Sequence, residues 1–181
     1  MAKKMQTEAD MESAVAAHLQ RTARQVTLEG CRFDVVAYDK ETQLFTIVEC
    51  KRGRKAVDVG HAFGQISAYY ALLARRGRVF VDKVGNKLPR MRYGRWIEAT
   101  HRDRYIKVAF YVALRDRACE EQADVIRAVK NLLTDVGVIR VKADGQCRDY
   151  LKNGNQNDYR TAHARPMKIK LLQRRSKAWT R

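Results

Sequence analysis

Two neighbouring stretches decide the fold of this chain: CRFDVVAY at residues 31–38 and LFTIVECK at residues 44–51. In the first stretch Cys31, Phe33, Val35 and Ala37 share one face, which is the two-residue period of a β-strand. The second stretch is almost continuously apolar, as expected for a buried strand. The polar residues DKET at 39–42 separate the two stretches and are typical of a turn. The sequence therefore predicts a β-hairpin here.

Three charged residues interrupt the apolar pattern of this hairpin. Asp34 lies inside the first strand, and Glu49 and Lys51 close the second. Charged groups in apolar surroundings are costly unless they are paired or bound to a metal. Residues two apart point to the same side of a strand, so Glu49 and Lys51 lie roughly 7 Å apart on one face. If Asp34 shares that face, the hairpin brings two carboxylates and an ammonium together.

These groups suit the hydrolysis of a phosphodiester bond. Two carboxylates can hold Mg²⁺ or Mn²⁺, hard cations that prefer oxygen ligands. Such a metal acidifies a bound water and offsets charge in the transition state. The lysine can position or deprotonate the attacking water, or neutralise the developing charge. The backbone carbonyl of Cys50, between Glu49 and Lys51, is a further candidate metal ligand.

Helices and strands alternate along the rest of the chain. Apolar residues at helical spacing predict helices over residues 8–22, 58–76 and 120–134. Apolar runs predict further strands over residues 78–84, 105–114 and 137–142. Thr7 is a candidate cap of the first helix, and Arg75-Arg76-Gly77 is a candidate stop of the second. Asp58 is better suited to capping that second helix than to binding metal.

Residues 7–84 carry a resemblance to a known family. Phe33-Asp34 followed by Glu49-Cys50-Lys51 resembles the PD-(D/E)xK motif of the restriction-endonuclease-like nucleases, with Phe33 in place of proline. The order helix–hairpin–helix–strand is similar to the common core of that family. The resemblance implies an α/β fold with a restriction-endonuclease-like core, whose central mixed β-sheet is flanked by helices on both faces. It also implies a metal-dependent endonuclease that hydrolyses DNA in restriction, repair or recombination.

The resemblance also implies roles for individual residues. Asp34 and Glu49 would bind Mg²⁺ or Mn²⁺, and Lys51 would assist the attacking water. A glutamine often stands on the following helix in this family, and Gln65 matches it, where it would orient that water or Lys51. These four residues form the implied catalytic set. Tyr69, one helical turn after Gln65, joins either the site or the core.

An acidic residue on the N-terminal helix completes the implied metal site. Many members of the family place a glutamate there, near the metal. Glu12 and Glu8 both match, and Glu12 is preferred. The implied metal ligands are therefore Asp34, Glu49, the carbonyl of Cys50, and Glu12.

The charge of the chain points to a polyanionic partner. Its 37 Lys and Arg residues exceed its 20 Asp and Glu residues, which gives a formal net charge of +17. Nucleic acid is the first candidate and an anionic membrane the second. Two basic segments are candidates for contacting DNA, the first directly after the hairpin and the second mixed with aromatic residues. Their cations are Arg52, Arg54 and Lys55, and Arg90, Arg92 and Arg95.

The last 30 residues differ in composition from the rest. Residues 152–181 hold nine Lys or Arg residues and one Asp. We therefore expect a nuclease-like domain over residues 1–151 and a basic C-terminal tail over residues 152–181, partly disordered or ordered on a partner. Cutting both strands of a duplex needs two sites, which is compatible with a homodimer.

Several other classes lack support. The chain has no P-loop, no GxGxxG and no CxxC pair, which disfavours nucleotide enzymes and zinc sites. It has no apolar stretch of ~18–20 residues and no apolar segment near its polar N-terminus, so we expect a cytoplasmic protein without a membrane partner. Two alternatives stay open. One is a catalytically silent DNA-binding module of the same fold, and the other is a basic RNA-associated protein whose acidic residues meet by coincidence.

Overall fold

The computed structural model describes residues 7–39, 41–85, 87–88, 105–149 and 164–171. The helices are α1 (Glu8–Leu19), α2 (Ala56–Gly85), α3 (Asp116–Glu121) and α4 (Ala123–Leu132). The strands are β1 (Thr22–Leu28), β2 (Cys31–Asp39), β3 (Leu44–Lys51), β4 (Tyr105–Arg115), β5 (Val136–Val141), β6 (Cys147–Asp149) and β7 (Met167–Lys170). Arg90, Arg92 and Arg95 lie outside these described residues.

The described strands form one mixed sheet in the order β1-β2-β3-β4-β5-β6, with β7 paired to β4. The first three strands are antiparallel, so β2 and β3 form the predicted hairpin and β1 extends it. Strands β3, β4 and β5 are parallel to one another. The carboxyl ends of these three strands therefore meet at one edge of the sheet, which includes Lys51 and Arg115.

Helices pack on both faces of the sheet. On one face α1 buries Met11 and Val15 against Val48, Ala113 and Ile139. On the other face α2, α3 and α4 cover the larger core. The predicted α/β class, with a mixed sheet between helices, is thus confirmed.

Helix α1 begins where the sequence places its cap. The Thr7 hydroxyl accepts a hydrogen bond from the Asp10 backbone at 3.1 Å, and the Asp10 carboxylate accepts one from Thr7 N at 2.8 Å. This reciprocal capping fixes the first turn of the helix. Since α1 packs on the sheet directly behind the hairpin, the cap also sets where the acidic residues of its first two turns lie.

The predicted strand over residues 78–84 is wrong, because α2 continues through this segment to Gly85. The Arg75-Arg76-Gly77 stop instead becomes a kink, with non-helical angles at Arg76. Phe80, Val81 and Val84 are buried in the main core, a spacing that serves one face of a helix. Among the described residues, no helix is both long and apolar enough to cross a membrane.

Three strands and one helix break were not predicted. Strand β1 precedes the hairpin, and the short β6 follows β5. Strand β7 comes from the segment that the sequence assigns to the basic tail, and it pairs with the first half of β4. The helix predicted over residues 120–134 is divided into α3 and α4 at Gln122.

Candidate functional site

Asp34 and Glu49 come together where the two strands of the hairpin part. The β2–β3 pairing ends at Val35 and Val48. One residue beyond that pair, Oδ2 of Asp34 accepts a hydrogen bond of 2.9 Å from the backbone N–H of Cys50. The exposed fraction is only 2% for Asp34 and 1% for Glu49. Two carboxyl groups thus share a nearly dry site at the end of the hairpin.

The regular alternation of β2 is interrupted at Asp34. Phe33 packs in the main core together with Val36, whereas Val35 packs on the α1 side. The predicted grouping of Phe33 and Val35 on one face is therefore wrong. Gln25 on strand β1 lies opposite Asp34, and the residues on either side of these two are paired between the strands. The backbone of Gln25 has a left-handed φ of 51°. This local distortion in both strands changes the direction of the Asp34 side chain relative to a regular strand.

The surroundings of Asp34 make its carboxyl group harder to ionise. Burial is the main reason that the pKa of Asp34 rises from 3.8 to about 7, and the negative charge of Glu49 raises it further. The hydrogen bond from Cys50 acts in the opposite direction. The charge of Glu12 and a side-chain hydrogen bond with Glu49 also raise this pKa.

Lys51 and Tyr69 hold the two oxygens of Glu49. The Lys51 ammonium lies 3.0 Å from Oε1, and the Tyr69 hydroxyl lies 2.6 Å from Oε2. Burial lowers the pKa of Lys51, but the hydrogen bond and charge of Glu49 outweigh it, so the pKa is raised overall. Lys51 is therefore a cation at neutral pH.

The Tyr69 hydroxyl also lies 2.5 Å from the backbone oxygen of Arg32, beside Asp34. Burial and the charge of Glu49 raise the pKa of Tyr69, so the phenol keeps its proton. Its ring packs on Phe33 with ring centres 4.5 Å apart. Tyr69 thereby connects α2 to both acidic strands, and it belongs to the site as well as to the core.

Gln65 stands one turn before Tyr69 on α2 and is half-buried. Its side chain forms no hydrogen bond within the part of the chain that the structure describes. Helix α2, which carries Gln65, therefore does reach the acidic pair, but its contact with Glu49 is made by Tyr69. The role of Gln65 toward a bound water stays a prediction.

Helix α1 brings two further acids to the site. Glu12 is 2% exposed, and its Oε2 lies 3.0 Å from Nη2 of Arg24 and 3.3 Å from Nε2 of Gln25. Glu8 is more exposed and lies 3.7 Å from the ammonium of Lys51. Glu12 is thus the buried acid of the two, while Glu8 contacts Lys51, and the choice of Glu12 as a metal ligand stays a prediction.

A cationic rim borders the acidic site. Arg52, Arg54 and Lys55 are exposed directly after β3, and Arg115 ends the neighbouring strand β4. Burial lowers the pKa of Arg115, and the charges of Arg52 and Arg54 lower it further, which shows that these guanidinium groups lie near one another. Like charges this close repel, so the rim is a surface that favours an anion. Arg115 was not identified from the sequence, because its proximity depends on the parallel pairing of β3 and β4.

The loop that carries this rim is held by Asp58. Oδ2 of Asp58 accepts a hydrogen bond of 3.0 Å from the Lys55 backbone, at the first turn of α2. A side-chain carbon at Gly53 would overlap the Asp58 carboxylate, so this close approach requires glycine. The predicted start of the helix at residue 58 is thus two residues late, because α2 begins at Ala56. Asp58 lies in the first turn, where its carboxylate accepts the hydrogen bond from the Lys55 backbone and fixes the loop.

The oxygen donors of this site are of the chemical type that a hard divalent cation prefers. Asp34, Glu49 and Glu12 supply carboxylate oxygens, which Mg²⁺ and Mn²⁺ prefer. The N–H of Cys50 points toward Asp34. The Cys50 carbonyl as a ligand stays a prediction. In the part of the chain that the structure describes, no group of three or more His, Cys, Asp or Glu side chains is arranged to hold a metal ion.

Comparisons with protein-family models, with curated proteins and with solved structures found no match to this chain.

Proposed function

We propose that this chain is a metal-dependent endonuclease that hydrolyses DNA phosphodiester bonds. One observation carries the proposal: Asp34 and Glu49 are buried side by side, with Lys51 at 3.0 Å from Glu49. Two acids in a dry site raise the pKa of Asp34 to about 7 and cost stability. A divalent cation bound to these carboxylates would offset that cost, and it would supply the chemistry for hydrolysis.

Four residues of this chain would hold Mg²⁺ or Mn²⁺. Asp34 and Glu49 supply carboxylate oxygens from adjacent strands, and Cys50 supplies its backbone carbonyl. Glu12 reaches the same region from α1, where Arg24 and Gln25 orient its carboxylate. When bound, the metal supplies a water of lowered pKa and stabilises negative charge on the phosphate.

Lys51 would act on the attacking water and on the phosphate as a fixed positive charge. Its raised pKa keeps it protonated at neutral pH. It therefore suits the orientation of a hydroxide and the neutralisation of the developing charge, rather than removal of a proton. Tyr69 positions Glu49 by its hydrogen bond of 2.6 Å. Gln65, one turn earlier on the same helix, would orient the water from the α2 side.

The cationic rim supports a DNA substrate. Arg52, Arg54, Lys55 and Arg115 lie at the carboxyl ends of β3 and β4, next to Lys51. Cations placed beside acidic groups bring a phosphate backbone to carboxylates that would otherwise repel it. Arg90, Arg92 and Arg95 are proposed as further DNA contacts on the basis of the sequence.

The fold proposal is a restriction-endonuclease-like core. It is supported by the antiparallel hairpin of β2 and β3, by the parallel pairing of β3 with β4 and β5, and by α1 and α2 on opposite faces. The acidic residues lie at the end of the hairpin, where the resemblance requires them. A homodimer and a cytoplasmic location remain part of this proposal.

A cleavage panel tests the function. Purified protein is incubated with linear duplex, junction, flap and single-stranded DNA, and with RNA of the same sequences, in Mg²⁺, Mn²⁺ or EDTA. We expect cleavage of at least one DNA in either metal and none in EDTA. Asp34→Asn, Glu49→Ala and Lys51→Ala should abolish it. Asp124→Asn, a fully exposed acid on α4, is the matched control. Full cleavage by any of the three site variants would overturn the proposal.

A second candidate function is a catalytically silent DNA-binding module. It is favoured by the deep burial of both acids, which leaves Asp34 only 2% and Glu49 only 1% exposed. It predicts salt-sensitive binding to DNA without cleavage of any substrate in the panel. It also predicts that Asp34→Asn leaves DNA affinity unchanged in EDTA and in Mg²⁺ alike.

A further inference from the structure

The amino-terminal half of β4 and the paired strand β7 present a second cationic surface, away from the acidic site. Tyr105 lies opposite Lys170, and Lys107 lies opposite Lys168. We call these four residues the lysine face. Lys168 and Lys170 come from the basic segment near the C-terminus, so the pairing of β7 places tail cations onto the sheet.

The exposure pattern shows that these four side chains project to one side. In β4, Tyr105 and Lys107 are exposed while Ile106 and Val108 between and after them are buried in the main core. In β7, Lys168 and Lys170 are exposed, and Ile169 between them is buried in that same core. Directly opposite residues of an antiparallel pair share a face. The lysine face is thus turned away from the α2 side of the sheet.

The charges on this face are left uncompensated by the neighbouring strands. Like charges directly opposite each other destabilise a strand pair, as Lys107 and Lys168 do here. None of the three lysines forms an ion pair with any described residue. The acid in the same row of the sheet is Asp39, two strands from Lys107. Its oxygens already accept hydrogen bonds from Glu41 N and from the Thr42 hydroxyl.

The lysine face is separate from the proposed catalytic site. Lys107 lies beside Leu44 at the start of β3, while Leu114 lies beside Lys51 at its end. The seven residue steps from Leu44 to Lys51 correspond to roughly 23 Å along the strand. A ligand on the lysine face therefore does not touch Asp34 or Glu49, although a nucleic acid chain is long enough to reach both regions.

We propose that the lysine face binds single-stranded nucleic acid, with phosphates on the three lysines and a base stacked on Tyr105. Three cations beside an aromatic ring with 47% exposure match this ligand, because unpaired bases stack on aromatic side chains while cations follow the backbone. An anionic membrane would bind the three lysines but would not require stacking on the ring of Tyr105. This binding goes beyond the proposed cleavage, and it does not depend on the acidic site.

Binding in EDTA tests the lysines independently of hydrolysis. The affinity of the full chain for a labelled single strand is measured by fluorescence anisotropy across a range of salt concentrations. We expect Lys107→Gln/Lys168→Gln/Lys170→Gln to reduce the slope of log affinity against log salt by about 2, since each lost phosphate contact contributes about 0.7. The all-arginine version of the same triple variant should restore the slope.

A matched control removes the same charge from the opposite face of the sheet. Arg75→Gln/Arg76→Gln/Arg127→Gln changes three exposed cations on α2 and α4. We expect this control to change the slope by much less than the lysine triple variant. Equal slopes for the two triple variants would overturn the proposal, because net charge alone would then account for the binding.

Variants of Tyr105 test whether the ligand is a single strand rather than another polyanion. Tyr105→Ala should weaken single-strand binding about five-fold or more, and Tyr105→Phe should keep it, because the ring does the stacking. The binding of duplex DNA and of anionic phosphatidylserine vesicles should be unaffected by Tyr105→Ala. An unchanged single-strand affinity in Tyr105→Ala would contradict the proposal. So would a lysine triple variant that loses vesicle binding but retains single-strand binding. Loss of cleavage alone would bear on the acidic site and not on this surface.

Discussion

The backbone N–H of Cys50 donates a hydrogen bond of 2.9 Å to Oδ2 of Asp34 at the point where their strands part. This bond replaces the pairing that ends at Val35 and Val48, and it holds the Asp34 carboxyl group beside Glu49. The hydrogen bond lowers the pKa of Asp34, but burial and the charge of Glu49 raise it more. The backbone therefore fixes an acid in a position where it is costly to ionise, which is the property expected of a metal-binding site.

The first prediction concerns stability in the absence of metal. Folding raises the pKa of Asp34 from 3.8 to about 7, so between these pH values the folded protein binds more protons than the unfolded chain. Its free energy of unfolding should then fall as pH rises from 4 to 7, by an amount on the order of 3 kcal/mol. Asp34→Asn should be more stable than the wild type at pH 8 in EDTA and less dependent on pH. Urea unfolding at pH 5 and pH 8 measures this, and identical pH dependence in both proteins would refute it.

The second prediction concerns Tyr69. Tyr69→Phe removes the hydroxyl that contacts Glu49 and the Arg32 backbone, while it keeps the ring contact with Phe33. Residues that orient metal ligands affect metal affinity or activity by about 10- to 100-fold, and we expect a loss of that size. Tyr70→Phe, at the exposed neighbouring position, is the matched control and should behave as the wild type. Equal cleavage rates for the two variants would remove Tyr69 from the site.

The third prediction concerns the loop of the cationic rim. Gly53→Ala introduces a carbon that overlaps the Asp58 carboxylate, so the loop or the start of α2 must shift. We expect a loss of about 1–3 kcal/mol in the free energy of unfolding, together with weaker DNA binding. Gly60→Ala, on α2 with open space around it, should instead be neutral or stabilising by up to about 1 kcal/mol. Thermal unfolding of the two variants distinguishes these outcomes, and equal melting temperatures would contradict the close approach.

The fourth prediction concerns Lys130, which is only 4% exposed and whose ammonium donates to the backbone oxygen of Val136. Burial lowers its pKa from 10.5 to about 8, with Asp135 opposing the shift. Between these pH values the unfolded chain binds the extra proton, so the stability of the wild type should rise with pH. Lys130→Met lacks this dependence. Its stability relative to the wild type should therefore decrease between pH 7 and pH 10, by on the order of 2 kcal/mol. If the stability difference between Lys130→Met and the wild type does not change with pH, the positive charge of Lys130 does not destabilise the folded protein.

The central hairpin was predictable from the sequence because its two strands are strongly apolar and a polar turn joins them. Charged residues within such strands are few and therefore easy to identify. Asp34, Glu49 and Lys51 stand out against Val35, Ile47 and other buried neighbours, and the structure places the three charges in one region. The direction of Asp34 was not predictable, since it depends on the distortion opposite Gln25. That distortion, with its left-handed φ at Gln25, leaves no period in the sequence.

The second half of α2 could not be read correctly from local patterns. Arg78–Val84 is rich in β-branched residues, which favour strands. Burial of Phe80, Val81 and Val84 in the core nevertheless keeps the segment helical. Gly77 contributes, because its missing side chain allows the helix to approach Ile169 of β7, where an added carbon would lie 3.2 Å from that side chain. Tertiary contacts of this kind outweigh local propensity.

Contacts between distant segments account for the other omissions. Tyr69 meets Glu49 only because α2 crosses the hairpin, and Arg115 joins the cationic rim only because β4 pairs in parallel with β3. Strand β7 is too short and too basic to be recognised alone, and its pairing with β4 orders it. Spacing along the chain identified candidate residues, whereas their partners depended on the sheet order.

The binding of Mn²⁺ tests most directly the central claim that Asp34 and Glu49 form a divalent-metal site. Titration calorimetry compares the wild type with Glu49→Gln, and with Glu41→Gln at an exposed acid of the β2–β3 turn as the control. We predict that the wild type and Glu41→Gln bind Mn²⁺ alike, and that Glu49→Gln binds at least about ten-fold more weakly. No binding by the wild type, or equal binding by all three proteins, would contradict the claim.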